Sequence, residues 1–144
     1  CSSRQRENYW AKLSGPLMDR IDLQVAANRL KPEEMLKQTT GEDSTIVRKR
    51  VVAARKLAEI RFGSEPGISC NAEMRSHHLR EFCVLDDTSR NLLEGAIRKL
   101  GLSARAMDRV LKVSRTIADL AGDRDLQSNH LAEAIQYRTI DRMQ

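Results

Sequence analysis

The sequence predicts a mainly α protein. A bundle of about five helices fills residues 42–144, and a helix, a turn and one short strand precede it in residues 1–41. Three observations carry this prediction. Five stretches after residue 43 repeat apolar residues at helical spacing. Glycines stand where three of them should stop, at Gly63, Gly101 and Gly122. Alternation at strand spacing occurs once, where Ile21, Leu23 and Val25 interleave with Asp22, Gln24 and Ala26. One strand cannot make a sheet, so residues 1–41 read as the edge of a larger α/β domain. The roughly 100 residues that follow can bury a core of their own.

The first helix runs from a Ser3 cap to about Leu13, with Tyr9, Trp10 and Leu13 on one side. Gly15-Pro16 breaks the chain. Pro16 then opens a short helical turn, because its φ is already helical, and Asp19-Arg20 ends it. Asn28 to Gly41 is a connector, with one helical turn at Pro32 to Leu36. The polar run Thr39 to Asp43 marks the domain boundary.

Ser44 caps a long helix that stops at Gly63. Ile46, Val47, Val51, Ala54, Leu57, Ala58 and Phe62 share its apolar arc, and Arg50 and Arg61 fall inside that arc. Those two arginines are expected to reach the edge of the arc or to pair with acids. A helix from Asn71 to about Phe82 follows the Pro66-Gly67 loop, with Met74, Leu79 and Phe82 apolar. His77 and His78 are adjacent, so they lack the i, i+4 spacing of helical metal ligands and read as solvated. Asp86-Asp87 caps the next helix, which buries Leu92, Leu93, Ala96, Ile97 and Leu100 and stops at Gly101. Ser103 caps a helix that ends at Gly122. Its apolar half includes Ala106, Val110, Leu111 and Ala118; its other half carries Arg105, Arg109 and Lys112. Ser128 caps the last helix, with Leu126 as a staple residue before it.

Composition excludes several classes. No apolar run approaches the roughly 18 residues of a membrane span. No secretory signal opens the chain, and it does not begin with Met, so a piece of a longer protein is expected. Cys1, Cys70 and Cys83 are odd in number and lack C-x-x-C spacing, which favours a reducing cytoplasm over disulfides or zinc. The net charge is 25 − 20 = +5, a balance that suits phosphate partners, whether nucleotide or nucleic acid. No G-x-x-x-x-G-K-[ST] loop occurs, and no apolar run ends in Asp-Glu. No catalytic triad, Cys/His pair or metal-ligand set is readable, so the chain alone is expected to hold no complete active site and no metal.

Two arginines stand out. Arg20 sits between a turn and a strand, where a rigid base can present its guanidinium to a phosphate or carboxylate. Equally, it can pair with Asp19, Asp22 or an acid elsewhere. Arg105 sits in the first turn of its helix, where free N–H groups and the dipole favour an anion. Arg109 and Lys112 continue a basic stripe that could touch DNA or phosphate, or could simply be solvated.

These residues also carry a resemblance. Ser14-Gly15-Pro16-Leu17-Met18-Asp19-Arg20-Ile21-Asp22-Leu23 is similar to the S-G-P-L-L-D-R-I-D-L signature of magnesium-chelatase-like AAA+ ATPases of the ComM/YifB type. Residues 102–120 resemble that family's L-S-x-R-A-x-x-R-x-L-K-V-A-R-T-I-A-D-L, with Ser114 in place of alanine. Glu133-Ala134 with Tyr137-Arg138 resembles its E-A-x-x-Y-R ending. The resemblance implies that residues 1–41 close an ATPase core and that residues 42–144 form the AAA+ C-terminal helical lid. It implies that Arg20 is an arginine finger and Arg105 the sensor-2 residue. In the full-length protein it implies ATP and Mg²⁺, a ring of identical subunits, and work on DNA in branch migration. Two alternatives stand beside it: an autonomous helical DNA-binding module, and the motor of a metal chelatase.

Overall fold

A computed structural model describes residues 2–12, 15–27, 29, 31–36, 41–63 and 65–138. Three short helices come first: α1 (Ser3–Trp10), α2 (Gly15–Met18) and α3 (Pro32–Leu36). The bundle comprises α4 (Ser44–Phe62), α5 (Ser76–Phe82), α6 (Asp87–Leu100), α7 (Ala104–Ala121) and α8 (Ser128–Gln136). A 3₁₀ turn, Asn71–Glu73, precedes α5. The mainly helical architecture with five bundle helices is the one expected.

The core follows from α7, which lies against α4, α5 and α8. Val110 and Ala118 of α7 are fully buried, as is Leu131 of α8. Phe62, Met74, Leu79 and Leu93 close around them. Phe62 and Phe82 meet edge to face, with centroids 5.8 Å apart, a favoured aromatic geometry. Gly101 and Gly122 end α6 and α7 in the left-handed conformation at φ 54° and 80°.

Several local expectations are corrected. Helix caps fall one residue early. Ser2, not Ser3, caps α1: its Oγ accepts from Gln5 N, and Gln5 Oε1 accepts from Ser2 N. Asp43, not Ser44, caps α4, accepting from Thr45 N at 2.6 Å. Gln127 precedes α8 in the cap position, so Ser128 is already helical. The cap residue must stay extended while its neighbour turns, and Asp43 does so at ψ 136°.

The single helix expected from Asn71 to Phe82 is two elements. Met74 (ψ 135°) and Arg75 (ψ 173°) leave the helical region between them. Burial of Met74 and of the Asn71 side chain in the core favours the break. Residues 21–27 run without ladder pairing, so the expected strand is an extended segment. Its backbone partner is α8: Gln24 N donates to the Tyr137 carbonyl at 2.9 Å. The apolar arc of α4 is only half used, since Ala54, Ala58 and Phe62 are buried and Ile46 is 55% exposed. Leu92, expected on the buried side of α6, is 37% exposed. Tyr9 is exposed, while Cys1, Leu13, Ser14, the Trp10 side chain and residues 37–40 lie outside the described residues.

Candidate functional site

Arg20 ends the α2 turn, and its backbone N–H bonds to the Leu17 carbonyl. Its Nη1 donates to the Pro16 carbonyl at 2.9 Å, and the side chain is exposed. No acid pairs with it among the described residues, because the neighbouring acids are engaged elsewhere. Asp19 Oδ2 accepts from Ser103 Oγ at 2.8 Å, and Asp19 Oδ1 lies 3.6 Å from Arg138. Asp22 accepts from Arg109 at 2.6 Å. Arg138, buried against the bundle, donates to the Ile21 carbonyl. Five contacts, two of them hydrogen bonds from α7 and its cap, thus fasten residues 19–24 to the bundle and leave Arg20 outward.

The same contacts place the Arg20 turn beside the start of α7. Ser103 both caps α7, accepting from Ala106 N at 3.1 Å, and donates to Asp19. Arg105 lies two residues further, exposed, and makes no hydrogen bond or ion pair among the described residues. Asp19 and Ser103 therefore join the Arg20 turn to the start of α7, and Arg20 and Arg105 are both exposed. Guanidinium groups that lack carboxylate partners are suited to phosphate oxygens, which they bind through two parallel N–H bonds.

The rest of the α7 basic stripe turns inward. Arg109 holds Asp22, and Lys112 Nζ donates to the Ala72 carbonyl at 2.9 Å. Arg115 is only 2% exposed. It pairs with Asp119 and donates to the carbonyls of Asp123 and Arg124, which fixes the turn after α7. Asp119 accepts from Arg61 through both oxygens and from Asn71 Nδ2 at 2.8 Å. The arginines inside the α4 arc both find acids: Arg61 takes Asp119, and Arg50 takes Glu42.

Residues 41–138 match the family model of the magnesium chelatase subunit ChlI C-terminal region, and residues 1–35 match that of magnesium chelatase subunit ChlI. The chain belongs to the magnesium chelatase ChlI-like family. Competence protein ComM of Haemophilus influenzae is 42% identical over 144 residues, covering 99% of this chain and 27% of that protein. YifB of Escherichia coli, named as uncharacterized, is 41% identical over 145 residues, covering 99% of this chain and 28% of that protein. An uncharacterized protein of Mycobacterium tuberculosis, Rv2897c, is 35% identical over 138 residues, covering 96% of this chain and 27% of that protein. The chain spans about a quarter of the length of these curated relatives. No helix among its described residues is long and apolar enough to cross a membrane.

Of the two adjacent histidines of this ChlI-like chain, His77 is exposed as expected, whereas His78 corrects the expectation of a solvated side chain. His78 is 2% exposed. Its Nδ1 accepts from Arg75 N at 2.9 Å, so Nε2 carries the proton and donates to Glu65 at 2.9 Å. That bond, before the opposing cost of desolvation, holds the Glu65 carboxyl below its ordinary value of 4.5. Glu65, His77 and His78 bring donor atoms within 4.8 Å of one another, close enough for a metal ion. The tautomer does not fit one. A ligating histidine keeps its other ring N–H for an acceptor, whereas His78 faces a backbone donor there. His130 repeats the device, accepting from Gln127 N at 3.2 Å, with Nε2 3.0 Å from Asp123 but poorly aligned for a hydrogen bond.

Sequence reasoning missed the functions of Arg138, Asp119 and Arg115. Arg115 and Asp119 stand at i, i+4 with buried Ala118 between them, a signal that they enter the core together. Nothing local marks Arg138 as the residue that fastens position 21.

Proposed function

We infer that this chain is the C-terminal region of a ring-forming AAA+ ATPase of the ComM/YifB type. Residues 1–41 close its ATPase core and residues 42–144 form its helical lid. Arg20 acts as the arginine finger for ATP bound by the neighbouring subunit, and Arg105 as the sensor-2 residue at the γ-phosphate. The observation that carries this reading is the outward pair: Arg20 and Arg105 lack acidic partners among the described residues, while Asp19–Ser103 fastens their two elements together. Fastened elements move as one, which supports both arginines serving the same neighbour's nucleotide. No apolar run of the sequence ends in Asp-Glu, so the acid that holds Mg²⁺ is assigned to a part of the protein outside this chain. ATP, when bound, supplies the phosphoryl bond whose cleavage drives the ring; Arg20 contributes charge where charge develops.

The work substrate is DNA, by likeness to a competence protein. Free thiols at Cys70 and Cys83 suit a reducing cytoplasm. An autonomous DNA-binding module using the Arg105, Arg109 and Lys112 face has less support, since Arg109 and Lys112 are spent internally and only Arg105 of the three is left.

The test mixes two inactive full-length proteins, one lacking the P-loop lysine and one carrying Arg105→Ala, after co-assembly is verified. Regained ATPase activity is the expected result, because some junctions then pair an intact P-loop with an intact Arg105. A silent mixture of co-assembled rings overturns action across the interface. Arg20→Ala should leave nucleotide binding near normal and lower kcat by about 10³–10⁵. A variant with full turnover makes Arg20 a structural residue.

A further inference from the structure

The exposed side of α4 holds cations that no acid answers. Arg48, Lys49, Arg55 and Lys56 are all exposed, and none makes a hydrogen bond or ion pair among the described residues. At about 100° per residue they fall within an arc of about 120°. The face they occupy is turned away from α7, against which α4 packs through Ala54, Ala58 and Phe62. Glu59, the one acid of the helix, falls on the same face one turn after Arg55 and pairs with none of the four among the described residues.

The spacing of the charges is specific. Arg48 with Lys49, and Arg55 with Lys56, form two pairs seven residues apart. That separation is about 10.5 Å along the axis. The major groove of duplex DNA is about 12 Å wide, so the two pairs can meet phosphates on its two sides. Val52 stands between the pairs at 57% exposure. An acidic peptide would need an anchoring pocket there, and the pockets among the described residues are lined neither by Val52 nor by any of the four cations. Single-stranded DNA would need stacking aromatics, and α4 has only Phe62, which is buried.

We propose that the outward face of α4 is a duplex-DNA surface that grips phosphates through Arg48, Lys49, Arg55 and Lys56 without reading sequence. This rests on the DNA reading given above and assigns it a place: α4, not α7. Four phosphate contacts give a salt slope of about −3.6 on a log–log plot. Affinity should then fall about 150-fold between 50 and 200 mM salt by the same relation.

The test is fluorescence anisotropy of a labelled 20-base-pair duplex with this chain. It compares the wild type with a variant carrying Arg48→Gln, Lys49→Gln, Arg55→Gln and Lys56→Gln. All four positions are exposed, and glutamine is a good helix former. The variant should lose at least tenfold in affinity at low salt and most of its salt slope. Arg98→Gln with Lys99→Gln, on α6, should change neither. An unchanged slope in the α4 variant overturns the proposal. So does displacement of DNA by polyglutamate at equal charge, which would make α4 a protein-binding face. The same α4 variant is placed in the full-length ring. It should keep the DNA-free ATPase rate and lose stimulation by DNA. If the wild-type ring binds no duplex, the DNA reading falls together with this one. If both rings bind equally, only the α4 assignment falls.

Discussion

Helices α4 and α7 are both long and both basic, yet they dispose of their charge in opposite ways. In α7, Arg109, Lys112 and Arg115 all end on partners, and only Arg105 stays free among the described residues. In α4, Arg50 and Arg61 find acids while four further cations face outward. Burial differs in the same sense. Val110 and Ala118 of α7 are fully enclosed, whereas Val52 and Ile60 of α4 are more than half exposed. The contrast teaches that a basic helix is not by itself a binding face. Its cations are free only where no other segment delivers an acceptor. Asp22, Ala72 and the turn after α7 supply acceptors from outside the helix, and Arg115 also has Asp119 one turn along α7 itself.

The largest expected effect strikes the inward charges. Asp119→Ala leaves Arg115 and Arg61 without their shared carboxylate in a buried setting. Breaking one side of a buried pair costs about 3–5 kcal/mol. Urea unfolding should show that loss, and a change under 1 kcal/mol would mean that water replaces the carboxylate.

Next is the thiol beneath α7. Burial pushes the Cys83 thiol up to about 11 from its ordinary 9.0, and its Sγ lies 3.7 Å from the Leu111 carbonyl. About two pH units mean roughly a hundredfold less thiolate at a given pH. Iodoacetamide at pH 8 should therefore modify Cys70 well before Cys83. Equal rates would mean that α5 opens away from α7.

Acid should act through the loop beside α4. The Glu65 carboxylate is held low by its bond from His78, so its stabilising contribution is full above 4.5 and lost as pH falls through the lowered value. The Asp43 and Asp86 caps follow the same sign below 3.8. Cys83 has the opposite sign: its contribution is present below 9.0 and lost as pH rises through about 11. Thermal melts should thus show a plateau between about pH 5 and 9. Glu65→Gln should flatten part of the acid limb, and an unaltered limb would assign it to the caps.

Arg109→Ala sharpens the comparison more gently. The Arg109–Asp22 pair is about one-third exposed on each side, so at most about 1 kcal/mol is at stake. Its better readout is local: the amide of Gln24 should exchange faster with solvent. The smallest effect belongs to α4, where Arg48→Gln with Arg55→Gln should move stability by no more than about 0.5 kcal/mol. A larger loss would mean that those side chains are spent after all.

The fold was largely legible because its signals are local. Helical spacing, Asp86, Ser103, and the glycines at 63, 101 and 122 act within a turn of where they stand. Boundaries at Ser2, Asp43 and Gln127 slipped by one, since adjacent polar residues can each serve as a cap. Arg20 and Arg105 were legible as candidates from their positions. That their two elements are fastened together was not, because Asp19–Ser103 joins residues 84 apart. His78 was misread for the same reason: its burial depends on Glu65 and Phe62, which no spacing rule connects to it.

Arg138 closes a loop of 117 residues when it grips the Ile21 carbonyl. The length-dependent entropy of such a closure is about 4 kcal/mol. Helix α8 must already be folded for Arg138 to stand where it does. The Ile21 carbonyl is therefore gripped only in a bundle whose last helix is in place. Fraying of α8 would remove the Arg138 and Tyr137 contacts and leave the segment to Ser103 and Arg109 alone, so the last helix sets how firmly the first segment is held.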